Sequence, residues 1–149
     1  MTTPNFNEVR DLPLTTDDEL VPVIQSLLEG AYRRQVWLML LDADVKPLPV
    51  IMPSAVPAQP DGEDIVGFAD FMRCAAYDVA GSTLVVTFER PGPAHIVDRD
   101  RQWLKLLREA CLETGVPFRG PFLLLGKEVR QVAPDDYVDA ELTWSSEEK

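Results

Sequence analysis

The stretch Thr83-Leu-Val-Val-Thr-Phe-Glu-Arg-Pro-Gly-Pro-Ala-His-Ile-Val-Asp-Arg-Asp-Arg-Gln-Trp103 decides how the chain folds. Residues 83–88 form an apolar, β-branched run that reads as a strand. Pro91, Gly92 and Pro93 break it. From Asp98 the pattern becomes helical: Trp103, Leu104, Leu107, Ala110, Cys111 and Thr114 recur on one side, with Arg101, Lys105 and Arg108 opposite. Asp98 suits the N-cap and Gly115 the residue past the end. A strand that stops in a Pro/Gly loop and resumes as a helix sets that loop at a strand's C-terminal edge. Many α/β proteins keep their chemistry there.

Toward the C-terminus, residues 118–125 and 128–132 read as two strands joined at Gly126-Lys127. Toward the N-terminus, Asp64 opens a helix with Ile65, Phe68, Ala69, Met72, Ala75, Ala76 and Val79 on one face and Gly81 at its close. The run Gln35-Val-Trp-Leu-Met-Leu-Leu41 suits a strand buried on both sides. Asp42 to Lys46 supplies a turn, and residues 47–52 return as a strand that Pro47 and Pro49 push to a sheet edge. Residues 53–62 read as a surface connection. Further upstream, Thr16-Asp-Asp-Glu19 has the form of a capping box. Pro22 conflicts with a start there, because a proline inside a helix deletes a hydrogen bond. A start near Leu20 or Val21 is therefore expected, with Gly30 at the end. Helix, strand, strand, helix, strand, helix, strand, strand is the order of an α/β domain: a mixed sheet flanked by about three helices.

The chain has 149 residues and two cysteines, and is 46% hydrophobic and 26% charged, as expected of one soluble domain able to bury its own core. No apolar run approaches the roughly 18 residues of a membrane span, and the first residues carry no signal-peptide pattern. Cys74 and Cys111 fall on apolar helix faces, so buried thiols in a cytoplasmic protein are expected rather than a disulfide. The net charge is −11, and most of it lies in residues 1–19 and 134–149. Phosphate backbones would be repelled, so nucleic acid is not an expected partner. The division expected is a loose arm over residues 1–16, an α/β domain over 17–133 and an acidic tail over 134–149. There is no Gly-rich phosphate loop and no serine in a nucleophile-elbow setting.

From Thr83 to Val132 the chain resembles the JAB/MPN-type metalloprotein domain, in its RadC-like branch. The element order from Gln35 extends the resemblance to about two-thirds of the chain. That family runs a strand into His-x-His-Pro-Ser-Gly, opens a helix with Pro-Ser-x-x-Asp and leaves it through Gly-Ile. Here the matching residues are Phe88-Glu-Arg-Pro91, then Asp98-x-x-Arg101, then Gly115-Val116. The resemblance implies a single cytidine-deaminase-like, JAB/MPN-like α/β domain. It also implies a lost zinc site, since Phe88, Arg90 and Arg101 stand where ligands would. Phenylalanine cannot ligate and a guanidinium repels a cation. The general-base glutamate is missing too, because no acid lies between Asp44 and Asp61.

What the resemblance implies is thus a non-catalytic protein-binding or scaffolding module, with no cofactor and no catalytic residue. Its partner would be an unidentified protein, with a homodimer left open. The former active-site groove offers Glu89, Arg90, His95, Asp98, Arg101 and Lys105 as binding candidates. Two other readings compete. His95, Asp98 and Asp100 offer one imidazole and two carboxylates, a set that can hold a hydrolytic metal, although Asp98 has an alternative role as helix cap. The acidity also suits a small inhibitor or immunity-type protein for a basic target. Arg101, Lys105 and Arg108 form a stripe that is either a solvated face or a dock for an acidic partner, the chain's own tail included. Trp37, Trp103, Phe68 and Phe88 look like core. Trp144 is placed to anchor the tail or meet a partner.

Overall fold

A computed structural model describes residues 12–28 and 30–144. In a strand, alternate side chains face opposite ways, and the apolar runs here supply both faces at once. Among the described residues the strands are β1 (Gln35–Leu41), β2 (Pro47–Ala55), β3 (Thr83–Glu89), β4 (Phe118–Leu125) and β5 (Glu128–Gln131), and the helices are α1 (Asp17–Leu27), α2 (Asp64–Ala76) and α3 (Asp98–Thr114). The strands form one mixed sheet in the order β2-β1-β3-β4-β5. Only β3 and β4 run parallel, with α3 in the connection between them. The proline-rich β2 takes an edge, as its missing N–H groups require.

On one face, Val36, Leu38, Leu40, Leu84, Val86, Phe88, Leu123 and Leu125 pack with Met72 of α2 and with Trp103, Leu104, Leu107 and Cys111 of α3. On the other, Met39, Leu41, Val85, Phe122, Leu124 and Val129 pack against Leu20, Val23 and Ile24 of α1. This double covering is why β1, β3 and the second half of β4 show almost unbroken apolar runs. Trp103 centres the larger core. It is fully buried, lies stacked on Phe88 at 5.4 Å, meets Phe68 edge-on at 6.3 Å and donates its indole N–H to the Ala58 carbonyl at 3.1 Å.

Several expectations change. Helix α1 starts at Asp17, and Thr16 and Glu19 close a complete capping box. Pro22 sits inside the helix with an exposed side. The reciprocal cap and three acids in the first turn outweigh one deleted hydrogen bond. Strand β2 runs on to Ala55, beyond the expected end at residue 52. The arm expected over residues 1–16 is anchored at its inner end: Leu14 is buried and its N–H donates to the Val45 carbonyl at 2.9 Å. Residues 1–11 lie outside the described residues.

The segment read as a tail is tied to the domain at several points between residue 134 and Trp144, although most of its side chains are exposed. Tyr137 is buried in the larger core, with Leu142 against it. Lys105 Nζ donates to the Ala140 carbonyl at 2.7 Å and Gln102 Nε2 to the Glu141 carbonyl at 3.1 Å. The stretch does dock along α3, but through main-chain carbonyls rather than carboxylates. Thr143 forms a parallel bridge with Asp61, and Trp144 covers Gly62 so closely that a Cβ there would lie 2.4 Å from the indole ring. Residues 145–149 lie outside the described residues.

The cysteines differ. Cys111 is buried beside Met72, with its sulfur 3.9 Å from Sδ, and burial pushes its thiol up to about 12. Cys74 is exposed, contrary to expectation, because it lies off the Ala69/Met72/Ala76 stripe that faces the core. Iodoacetamide at about pH 8 is expected to label Cys74 and spare Cys111 until the chain is unfolded, which mass spectrometry of the labelled peptides checks. The same shift makes alkali destabilising. Above the ordinary thiol value of 9.0 the unfolded chain ionises first, so the fold loses stability progressively up to about 12.

Candidate functional site

Strand β3 ends on Glu89 and Arg90 follows it directly; both charged residues are buried. Strand alternation sends them to opposite faces: Arg90 to the side of Phe88 and α3, Glu89 to the side of α1. Each becomes the centre of its own network.

The Arg90 guanidinium forks onto Asp100, with Nε to Oδ1 at 2.8 Å and Nη2 to Oδ2 at 2.7 Å. Its remaining N–H groups reach main-chain carbonyls of the loop: Pro91 at 3.4 Å, Pro93, and His95 at 2.7 Å. The five donors of a guanidinium are thereby all engaged. Asp100 Oδ2 also accepts the Val97 N–H at 3.0 Å and so closes the first turn of α3. The loop of residues 91–97 is wrapped around one buried ion pair, whose side chains are 6% and 1% exposed.

The Glu89 carboxylate is held by neutral donors. Oε2 accepts the Tyr32 and Arg33 backbone N–H groups at 2.7 and 2.8 Å. Oε1 accepts Gln35 Nε2 at 2.9 Å and the Trp37 indole N–H at 2.7 Å. No cation among the described residues pairs with it. The group lines a cavity of about 380 Å³ together with Leu27, Tyr32, Arg33, Trp37 and Pro53. Trp37, expected in the core, is half-buried at this wall.

The six groove candidates do not share a groove. Glu89 lies across the sheet from the others, Arg90 is spent on the loop, and Lys105 is committed to Ala140. His95, Asp98 and Arg101 remain on the outer rim, where Asp98 and Arg101 form an exposed ion pair at 2.8 Å. Such a pair contributes little. Asp98 is not the N-cap: Val97 holds that position, and Asp98 is the first helical residue, with its side chain in solvent. Its place in the first turn still favours the helix dipole.

The alternative metal set is not assembled either. His95 and Asp98 are exposed, whereas Asp100 is buried on Arg90. Among the described residues no three His, Cys, Asp or Glu side chains are placed to hold a metal. The positions Phe88, Arg90 and Arg101 do not fit a zinc ion: the first is stacked on Trp103, the second is consumed by Asp100, and the third is a cation. Nor is any helix among the described residues long and apolar enough to cross a membrane.

Two features were missed from the sequence. The Arg90–Asp100 pair had a readable signal, because Asp100 falls on the helical stripe of Trp103, Leu104 and Leu107. The four donors around Glu89 had none, since they come from a segment more than fifty residues away in the chain. Compared with protein-family models, curated proteins and solved structures, the chain matches none of them.

Proposed function

We propose that the chain is a non-catalytic RadC-like, JAB/MPN-like domain that binds a protein partner in the cytoplasm through the rim at the end of β3. The observation that carries this reading is the Arg90 network: it spends a buried guanidinium on holding residues 91–97 in a single shape, with Arg130 Nη2 on the Ala94 carbonyl as a further tie. What the rim then presents is Pro91, Pro93, His95 and the Asp98/Arg101 pair, all at least partly exposed. A loop fixed before binding loses little conformational entropy on binding, which suits recognition. Catalysis would need a nucleophile, a base or a metal at this place, and Asp100 is spoken for by Arg90. The partner is a protein, with a second copy of this chain included, rather than a nucleic acid, given the net charge of −11.

Two measurements test the proposal. In protein purified without chelator, zinc is expected well below one atom per chain, with no change in melting temperature on adding EDTA. Stoichiometric zinc that disappears in His95→Ala would replace this reading with a metal hydrolase. In crosslinking followed by mass spectrometry in the native cell, Arg101→Glu with His95→Glu is expected to abolish crosslinks that the unaltered chain forms through residues 91–101. Crosslinks that persist in the double variant would move the interface elsewhere.

A further inference from the structure

The opposite end of the sheet carries a second site. Strand β4 opens with Phe118-Arg119-Gly120-Pro121-Phe122, and its pairing with β3 slips there: Val85 faces Arg119, but Thr87 faces Phe122. One extra residue is bulged out of β4, so Arg119 and Phe122 both turn toward the α1 face instead of alternating. Gly120 sits in this bulge at φ +94, where a Cβ would lie 2.7 Å from the Val86 carbonyl oxygen, so no other residue fits.

Beside the bulge lies a cleft of about 510 Å³, walled by Arg108, Phe118, Arg119, Gln131, Tyr137 and Asp17 among others. Its charge is unlike that of the chain. Two guanidiniums face one carboxylate, in a protein of net charge −11. Asp17 is already engaged with Arg119 Nε at 2.8 Å. Arg119 Nη1 donates to the Leu14 carbonyl, and Nη2 is buried with no partner. A buried donor without an acceptor is costly, so the Arg119 guanidinium gains by turning toward an acceptor placed in the cleft. Arg108 lies 5.8 Å from the centroid of the Phe118 ring, and its charge acts on the Tyr137 phenol. No carboxylate among the described residues pairs with it. Burial pushes the Tyr137 phenol up from 10.0, so it stays a neutral donor at neutral pH.

The geometry points to a binding site for a small organic anion: a carboxylate or a phosphate monoester carried on a flat apolar body. Arg108 and Arg119 take the charged head, which planar guanidiniums recognise through paired N–H groups. Phe118, with Pro121 and Val132 beside it, takes the body. The site is independent of the rim at the end of β3, because it lies where β3 and β4 begin.

The test is a ¹⁵N NMR titration of the full chain with phenyl phosphate, benzoate and inorganic phosphate, each against sodium chloride at matched ionic strength. Saturable shifts gathered at residues 118–122 and 131–137 are expected for phenyl phosphate or benzoate, and the tighter of the two identifies the head group. Arg108→Gln is expected to weaken that binding about tenfold or more, the loss of one charge-assisted contact. Arg119→Lys keeps the charge and tests the fork separately, should Arg119→Gln fail to fold. The proposal is overturned if neither phenyl phosphate nor benzoate saturates by about 10 mM, whatever inorganic phosphate does. It is also overturned if binding is unchanged in both Arg108→Gln and Arg119→Lys, or if the shifts gather elsewhere.

Discussion

Asp100→Ala is expected to lower the free energy of unfolding by about 3–5 kcal/mol, the cost of leaving a buried charge without its partner. Domains of this size are stable by only about 5–15 kcal/mol, so the variant sits near the edge of folding. Three losses combine. The Arg90 guanidinium keeps its charge in a site where its side chain is 6% exposed. The Val97 N–H loses the acceptor that closes the first turn of α3. The loop of residues 91–97 then keeps the carbonyl contacts of Arg90, with nothing to fix the guanidinium plane, and the bond from Arg130 Nη2 to the Ala94 carbonyl at 2.6 Å. Urea unfolding followed by tryptophan fluorescence measures the total, and amide hydrogen exchange separates the parts. Faster exchange is expected first at residues 94–100 and later in the sheet. Arg90→Lys supplies the control. An ammonium keeps the charge but cannot fork onto Asp100 and reach three carbonyls, so the loop should exchange faster although the ion pair survives. Replacing both partners, as Arg90→Met with Asp100→Leu, should cost less than Asp100→Ala alone, since no charge is left buried. If Asp100→Ala costs under about 1 kcal/mol, the pair is not what holds the loop.

The fold was legible where one face or one stripe repeats. The bounds of α3 and β4 follow from their apolar spacing, and Gly115 ends α3 in the left-handed conformation that a C-terminal glycine predicts. Legibility failed where two rules compete for one residue. Pro22 argued against an early start of α1, and the capping box won because it satisfies two orphan donors while the proline removes one bond. Asp98 and Asp100 are both good first-turn acids. What distinguishes them is the side of the helix: Asp100 shares the stripe of Trp103, Leu104 and Leu107 and so meets the inward-facing Arg90 that claims it. An arginine two residues after the buried Phe88 must face the same way and must find a carboxylate, which is a usable rule for other chains.

Composition misled most at the C-terminus. Six acids over residues 134–149 read as a solvated tail. Docking there is achieved by Tyr137, Leu142 and main-chain carbonyls, none of which a charge count registers. The anion cleft was hidden for a similar reason. Arg108 looked like one cation of a surface stripe, and Arg119 stood alone in a strand. They line one cleft because the bulge at Gly120-Pro121 turns Arg119 out of alternation, and a bulge has no reliable signature in a single sequence.

Glu89→Gln carries the second large effect, expected at about 2–3 kcal/mol, and its origin can be assigned to one atom. The carboxylate accepts four hydrogen bonds, two on each oxygen. A glutamine offers one oxygen and one NH₂, so its NH₂ must face a pair of donors. The Tyr32 and Arg33 N–H groups are backbone and keep the oxygen. On the other side Gln35 can rotate its amide to present an oxygen, but an indole N–H is a donor only. Trp37 is therefore the residue left unpaired in Glu89→Gln. In a Trp37→Phe background that orphan is absent, and the same substitution should cost about 1–2 kcal/mol less, a coupling that a double-mutant cycle on urea midpoints resolves. The indole N–H resonance of Trp37 gives an independent reading: slow to exchange in the unaltered chain, fast in Glu89→Gln. The opposing effect is the desolvation of a carboxylate that is 2% exposed and has no cation beside it among the described residues. Four donors outweigh that cost, so the substitution destabilises. Should Glu89→Gln instead prove neutral or stabilising, desolvation outweighs the four bonds. The charge would then be present at the expense of the fold, and the cavity of about 380 Å³ that it lines becomes the place to look for a cationic ligand.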